Sequence, residues 1–92
     1  MNSIIISGNI VRDNDVKDTA TTKVLKNTLA VKREFKKDET DFVNYTAFGK
    51  TAELLEKYTQ KGSKLLIQGR LQIGSYEKDG IKRSTADVIV EN

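Results

Sequence analysis

The sequence predicts an all-β domain of the barrel type with a single α-helix inserted among its strands. Two observations lead to this. Apolar and polar side chains alternate with a period of two over most of the 92 residues, and only residues 51–61 have helical spacing. A chain of this length has room for one modest core. We therefore expect one domain over residues 1–92.

The first half of the chain predicts three strands. Residues 3–11 are mostly Ile and Val, residues 24–35 alternate apolar with basic side chains, and residues 41–48 are rich in aromatic and β-branched side chains. The segment between the first two strands, residues 13–22, is polar, so a loop or an irregular strand is expected there. Residues 36–40 are expected to form a second loop.

The second half predicts one helix and two strands. Residues 51–61 contain good helix formers and no glycine, and Gly62 stands where a glycine would end the helix. Strands are expected at residues 64–73 and 81–90. The Asp-Gly pair at 79–80 is a strong signal for a two-residue hairpin turn between them.

Five strands with one helix between the third and the fourth is the element order of the OB-fold barrel. An SH3-like barrel also has five strands, but it lacks a helix of this length. In an OB-fold, one barrel face and two loops bind oligonucleotides. Here those loops would be the region after the first strand and the hairpin at residues 76–81.

Charge is segregated along the chain. The net charge is +3, yet residues 23–37 alone carry +5, because they hold six Lys and Arg residues and one Glu. The remainder of the chain therefore sums to −2. A concentration of positive charge suggests an anionic partner such as nucleic acid. The alternative is an ordinary solvated face.

The composition excludes several chemistries. His, Cys and Trp are absent, which excludes Cys/His zinc sites, Ser-His and Cys-His catalysis and disulfides. No apolar run is long enough to span a membrane. A magnesium nuclease could use Asp38, Glu39 and Asp41, but these acids are more simply a solvated turn. We expect no enzymatic activity, no cofactor and no metal.

The aromatic side chains fall into two groups. Alternation in the third strand puts Phe42 and Phe48 on one face, with Asn and Thr between them, and the Val43 side on the core face. Phe35 and Tyr76 stand beside loops. Rings next to polar groups and lysines are what a stacking platform for unpaired bases needs. The alternative is that these rings pack in the core, where we also expect the helical Tyr58.

Seven short segments spread over nearly the whole chain carry a family pattern. They are Gly8-Asn9, Val11-Arg12-Asp13, Thr28-Leu29-Ala30-Val31, Asp41-Phe42-Val43-Asn44, Ala47-Phe48-Gly49-Lys50-Thr51-Ala52-Glu53, Lys61-Gly62-Ser63 and Ile67-Gln68-Gly69-Arg70-Leu71. With these segments the chain resembles the bacterial and phage single-stranded DNA-binding proteins. The run from residue 48 to 53, followed by residues 61–63 at the right distance, is the most specific part.

The resemblance implies base stacking by four aromatic residues, Phe35, Phe42, Phe48 and Tyr76. It also implies phosphate contacts from Lys50 and Lys61. The family often has a basic residue at the positions of Lys17 and Arg33. Together with the charge pattern, the expected phosphate or polar contacts are Lys17, Lys32, Arg33, Lys36, Lys37, Asn44, Lys50, Lys61 and Arg70.

The chain departs from the family pattern in three places. It has no Trp at the stacking positions. Gln72, Ile73 and Gly74 stand where arginines often precede the last aromatic residue, which reduces the expected positive charge near that hairpin. Asn27 stands where an apolar core residue is usual, so the second strand is expected to lose some core contact.

We therefore expect a non-enzymatic protein that coats single-stranded DNA in replication, recombination and repair, in the bacterial cytoplasm or nucleoid or in a phage-infected host. The resemblance implies a homotetramer formed through the first strand and the sheet faces, with a dimer as the other possibility, and no membrane partner. Most members continue into an acidic tail that recruits other proteins, and none is expected within residues 1–92. The alternative function is an OB-fold adaptor that binds proteins in a replication restart or loading complex.

Overall fold

The computed structural model describes residues 1–33, 35 and 38–91, which form six strands and one helix. In chain order these are β1 (Ile4–Ile10), β2 (Asp15–Asp18), β3 (Lys23–Lys32), β4 (Thr40–Phe48), α1 (Gly49–Tyr58), β5 (Lys64–Lys78) and β6 (Ile81–Val90). The predicted OB-fold class is confirmed. The short β2 lies where a loop or an irregular strand is predicted, so α1 follows the fourth strand in this numbering instead of the third.

The strands form one sheet in the order β1-β5-β6-β4-β3-β2, and an additional β1–β3 pairing closes it into a barrel. All pairs are antiparallel except β4 with β6. β1 pairs with β5 from Ile4 to Asn9, but it pairs with β3 only at Asn9 and Ile10. Within the described part of the chain, one edge of β1 is therefore open over most of its length.

In the barrel part of the sheet, alternate residues of the strands point inward and form the core, as the period-two pattern predicts. In β4 the core-facing residues are Val43, Tyr45 and Ala47. The helix contacts β3 and β4 and buries Ala52 and Leu55. The buried apolar residues are Ile10, Leu25, Leu29, Tyr45, Ala47, Ala52, Leu55, Ile67, Val88 and Val90.

Gly8 allows β1 to approach β3 closely. A Cβ atom at this position would lie 2.4 Å from the carbonyl oxygen of Ala30, well inside van der Waals contact. Any side chain here would push the two strands apart just where they close the barrel. The close approach of two backbones accounts for glycine at this position of the strand.

The C-terminal end of the helix differs from the prediction. The helix ends at Tyr58, and the N–H of Thr59 donates to the carbonyl of Leu55. Gly62, predicted to end the helix, lies instead in the turn before β5, with φ of +90°. The core position predicted for Tyr58 is also wrong: its ring is 70% exposed. The buried stripe of α1 ends one turn earlier, at Leu55, so no core remains to cover the ring.

The last two strands form a long hairpin. Asp79 and Gly80 both have positive φ, 54° and 76°, as a type I′ turn requires, and the predicted turn is confirmed. β6 pairs with β4 only from Asp87 to Ile89. In the described structure, the first half of β6 therefore pairs with β5 alone. The two strands form an exposed arm that continues beyond the barrel.

Candidate nucleic-acid interface

The outward face of β4 carries two exposed rings. Phe42 is 67% exposed and Phe48 is 46% exposed, whereas Tyr45 and Ala47, of opposite parity on the same strand, are buried. The two rings are six residues apart, which corresponds to about 20 Å along a strand. Asn44 is exposed between them, and Thr46 is buried. This strip of alternating residues is called the β4 strip below.

A chain of hydrogen bonds joins the middle of the β4 strip to its neighbours. Arg12 Nη2 donates to Thr28 Oγ1 at 3.0 Å, and the Thr28 hydroxyl donates to Asn44 Oδ1 at 2.8 Å. The amide oxygen of Asn44 is thereby engaged, so its NH₂ group is the part that can donate to a ligand. Further along, the Thr46 hydroxyl donates to Asp87 Oδ2 at 2.6 Å.

Asn27 holds the segment that carries Arg12. Its side-chain NH₂ donates to the Arg12 carbonyl at 3.0 Å and to Asn14 Oδ1 at 2.8 Å, and its oxygen accepts the Thr28 N–H at 2.8 Å. Asn27 is 1% exposed, so these bonds satisfy a polar group inside the barrel. Asn27 uses a core position for hydrogen bonding and not for apolar packing, which explains why a polar residue stands where the family usually has an apolar one.

Two predicted cations lie near Phe48. Val24 of β3 pairs with Lys17 on one side and with Phe48 on the other, so all three side chains share one face of the sheet. Two strand spacings separate Lys17 from Phe48, about 10 Å. Lys50 follows Phe48 closely, as the second residue of α1, and both lysines are exposed.

The other end of the strip, at Phe42, borders β3. Phe42 pairs with Ala30, whose short side chain leaves the ring uncovered, and Lys32 is the next outward residue of β3, paired with Thr40. Phe35, beyond the end of β3, is 96% exposed. The predicted contacts Lys36 and Lys37 lie outside the described residues.

Tyr76 and Arg70 lie on β5. Tyr76 is 48% exposed and pairs with Arg83 on the arm. Arg70 pairs with Ile89, which pairs with Thr46, so the register places Arg70 on the same side of the sheet as the β4 strip. The Arg70 guanidinium donates to the Gln72 side chain at 3.1 Å.

Arg33 and Lys61 occupy different surroundings from the other predicted cations. The Arg33 guanidinium contacts the carboxylates of Glu39 and Asp41, at 2.7 and 2.9 Å. The hydrogen bond with Arg33 lowers the pKa of Asp41, and the same bond raises the pKa of Arg33. Lys61 is exposed in the turn between α1 and β5, where the N–H of Gly62 donates to the Ile10 carbonyl at 2.8 Å. This turn lies beside the end of β1 and not on β4.

Sequence reasoning missed two cations of this surface. Arg12 and Lys26 line a groove of about 310 Å³ that runs past Asn44 to Asp87. Lys26 pairs with Thr46, between the two rings, and its parity in β3 could have indicated this position. Arg12 follows the end of β1 in a polar segment, and no periodic signal pointed to it.

A phenol group is buried behind the strip. The Tyr45 hydroxyl has no hydrogen-bond partner among the described residues, and burial raises its pKa to about 12. The charge of Arg12 acts in the opposite direction and lowers this pKa. Tyr45 therefore fills the core with a neutral ring at physiological pH and leaves an unpaired hydroxyl inside the barrel.

The described helix is too short and too polar to cross a membrane.

Comparison with known proteins agrees with the resemblance found in the sequence. The family model of the single-strand binding protein family matches residues 1–92. Three similar curated proteins are all named single-stranded DNA-binding protein. The one from Clostridium perfringens is 44% identical over 100% of this chain and 63% of its own length. Those from Fusobacterium nucleatum and Wolinella succinogenes are both 39% identical, over 100% and 99% of this chain. The matches cover 64% and 61% of the length of these two relatives, so the chain spans slightly less than two thirds of the relatives it matches.

Proposed function

Because this chain belongs to the single-strand binding protein family, we propose that it binds single-stranded DNA without sequence choice. The observation that carries the proposal is the β4 strip, where Phe42 and Phe48 are exposed and hydrogen-bonding groups lie between them. Every base has a π-face, so stacking on such rings is worth about 1–3 kcal/mol per base regardless of base identity.

In this proposal the DNA strand follows the outer surface of the sheet. Phe42 and Phe48 stack bases along β4. Phe35 stacks a base beyond the end of β3, and Tyr76 stacks one on the arm. Lys17 and Lys50 neutralise phosphates near Phe48, and Asn44 donates hydrogen bonds between the rings. Arg33 must exchange its carboxylate partners for phosphate before it can contribute.

In this proposal, binding makes and breaks no covalent bond. We propose that it protects exposed single strands during replication, recombination and repair, in the bacterial cytoplasm or nucleoid or in a phage-infected host. Arg70, Lys61 and the two lysines outside the described residues supply further cations around the strand in this proposal.

We also propose that the chain assembles into a homotetramer, or at least a dimer, through β1. The open edge of β1 at residues 4–6 supports this, and so do Ile5 and Leu66, which are 62% and 65% exposed on the adjoining outer face. Sedimentation at micromolar concentration should give a multiple of the single-chain mass of 10.3 kDa. A mass equal to one chain would reject the assembly but not the DNA binding.

The direct test is a titration with oligothymidine at two salt concentrations, combined with the mass of the complex. The logarithm of the binding constant should fall with the logarithm of salt concentration, with a slope of about −0.7 for each neutralised phosphate. Chelation of divalent cations should leave the oligonucleotide intact and bound. Weak binding at low salt, together with retention of protein partners, would favour the adaptor alternative.

A further inference from the structure

A second groove lies on the outer surface beyond Phe42, between β1 and β3. It encloses about 510 Å³. Its lining includes the two small residues Gly8 and Ala30 and the two lysines Lys32 and Lys64. This space is called the β1–β3 groove below.

Strand register connects the groove to the aromatic strip. Phe42 pairs with Ala30, Ala30 pairs with Asn9, and Asn9 pairs with Lys64, so one row of outward positions crosses β4, β3, β1 and β5. Cross-strand partners lie on the same face of a sheet. Three strand spacings of about 4.8 Å each put the Phe42 and Lys64 backbones about 14 Å apart.

The chemistry of the groove fits a phosphodiester and not a base. No aromatic ring and no carboxylate is among the described residues that line it. Asn9 and Thr40 add an amide and a hydroxyl that can donate hydrogen bonds to phosphate oxygens. Gly8 and Ala30 in the lining are small and leave room for a sugar–phosphate backbone to approach closely.

The two lysines of the groove have no competing partner in the described structure. Neither Lys32 nor Lys64 forms an ion pair there, whereas nearby Arg33 contacts two carboxylates. An exposed ammonium group without a carboxylate partner can contact a phosphate without first breaking an ion pair, and the contact releases a cation condensed on the DNA. Two such groups at one groove form a positively charged path that leads away from Phe42.

We propose that the β1–β3 groove is a phosphate subsite for the DNA strand that leaves the Phe42 ring. This inference rests on the proposed single-stranded DNA binding, and it specifies the route across Ala30 and Asn9 to Lys64. The row spans about 14 Å, which corresponds to at most about four nucleotides at 3.4 Å each.

Salt dependence tests the role of the lysines. Each of the variants K32A and K64A should make the salt slope for oligothymidine shallower by about 0.7, because one phosphate contact is lost. The double variant should bind about 25-fold more weakly at 0.1 M salt and equally well near 1 M. K57A removes the same charge from α1 and is the matched control, with an unchanged slope. If an alanine variant melts at a lower temperature than the wild type, K32Q and K64Q replace K32A and K64A in the titration.

Oligonucleotide length tests the route. The affinity of the wild-type protein should rise with length until the groove is filled. In the double lysine variant, the rise should stop about two to four nucleotides earlier. An identical length dependence in both proteins would overturn the subsite.

Other outcomes separate this inference from the proposed function. If F42A loses affinity but the lysine variants match K57A, the DNA binding stands and the groove is rejected. If F42A binds like the wild type, the aromatic platform itself fails. If the lysine variants change the sedimentation mass and not the affinity, the groove contacts a second copy of the chain, and the subsite is rejected.

Discussion

Asp41 holds the Arg33 guanidinium across the β3–β4 hairpin. Nη2 of Arg33 lies 2.9 Å from Oδ1 of Asp41, and Nε lies 3.1 Å from Oδ2, so the contact is bidentate. Both side chains are half exposed, and such pairs add little to stability. Their effect on binding is larger, because a cation that already faces two carboxylates must release them before it contacts a phosphate.

The substitution D41N should therefore strengthen DNA binding. It removes one of the two carboxylates that Arg33 contacts and leaves only Glu39, so the guanidinium exchanges more easily onto a phosphate. One additional phosphate contact at 0.1 M salt corresponds to a gain of up to about 5-fold in affinity for oligothymidine. Titration of D41N and wild type at 0.1 M and 1 M salt measures the gain, which should vanish at the higher concentration. The control is the double variant R33Q/D41N, which should show no gain. A weaker-binding D41N would indicate that the pair orders the hairpin for binding.

The same contact predicts a pH dependence. Hydrogen bonding to Arg33 lowers the pKa of Asp41 below its ordinary value of 3.8. The pair therefore stabilises the folded protein above that value, and the contribution is lost as pH falls through the lowered pKa. Carboxyl chemical shifts of Asp41 should titrate below 3.8 in the wild type and closer to it in R33Q. An unchanged midpoint in R33Q would show that the contact does not persist in solution.

The aromatic platform predicts a separation between binding and folding. F42A and F48A should each lose about 1–3 kcal/mol of binding free energy, because one stacked base is lost. F42A should cost little stability, since the ring is 67% exposed. Oligothymidine titration and thermal melting measure the two quantities.

Tyr58 is the matched control for the rings. It is 70% exposed on α1, where Lys57 lies 5.3 Å from the ring centroid, and it is not on the β4 strip. Y58A should bind as the wild type does. Equal losses in Y58A and F42A would mean that ring removal acts indirectly and not through stacking.

The parts of the interface predicted from the sequence are those that depend on local alternation. A period of two decides which residues of β4 face outward, so Phe42, Asn44 and Phe48 could be placed before the structure was known. The contacts of Arg33 could not. They depend on the pairing of Val31 with Asp41, and on Arg33 and Glu39 meeting at the base of the hairpin.

The contacts made by irregular segments could not be predicted from the sequence either, for a related reason. Arg12 reaches Thr28 because Asn27 holds the Arg12 backbone from inside the barrel, a relationship between residues 15 positions apart with no periodic trace. The predicted helix end is wrong because Gly62 serves the turn before β5, and a glycine indicates a positive φ without showing which structure requires it.

The unpaired hydroxyl of Tyr45 predicts a stabilising substitution. Y45F keeps the ring in the core and removes a buried polar group without a partner in the described structure, so the free energy of unfolding should rise by about 1 kcal/mol. Burial raises the pKa of Tyr45 to about 12. The unfolded state therefore loses the phenol proton first, and wild-type stability falls as pH rises above about 10. Urea unfolding at pH 7 and 10.5 should show the advantage of Y45F growing with pH. A less stable Y45F at pH 7 would mean that the hydroxyl has a partner, such as a buried water.

The Arg12–Thr28–Asn44 chain predicts non-additive effects on binding. The Thr28 hydroxyl orients the Asn44 amide, so T28V should weaken oligothymidine binding about as much as N44A, by about 1 kcal/mol, with an unchanged salt slope. The double variant T28V/N44A should bind no more weakly than either single variant, because both remove the same oriented donor. R12A should differ, since it removes a cation and makes the slope shallower as well. Titrations of the wild type, T28V, N44A and T28V/N44A form the double-mutant cycle, R12A is titrated beside them at the same two salt concentrations, and melting curves check that each variant folds. Additive losses from T28V and N44A would show that Thr28 contacts the ligand independently of Asn44.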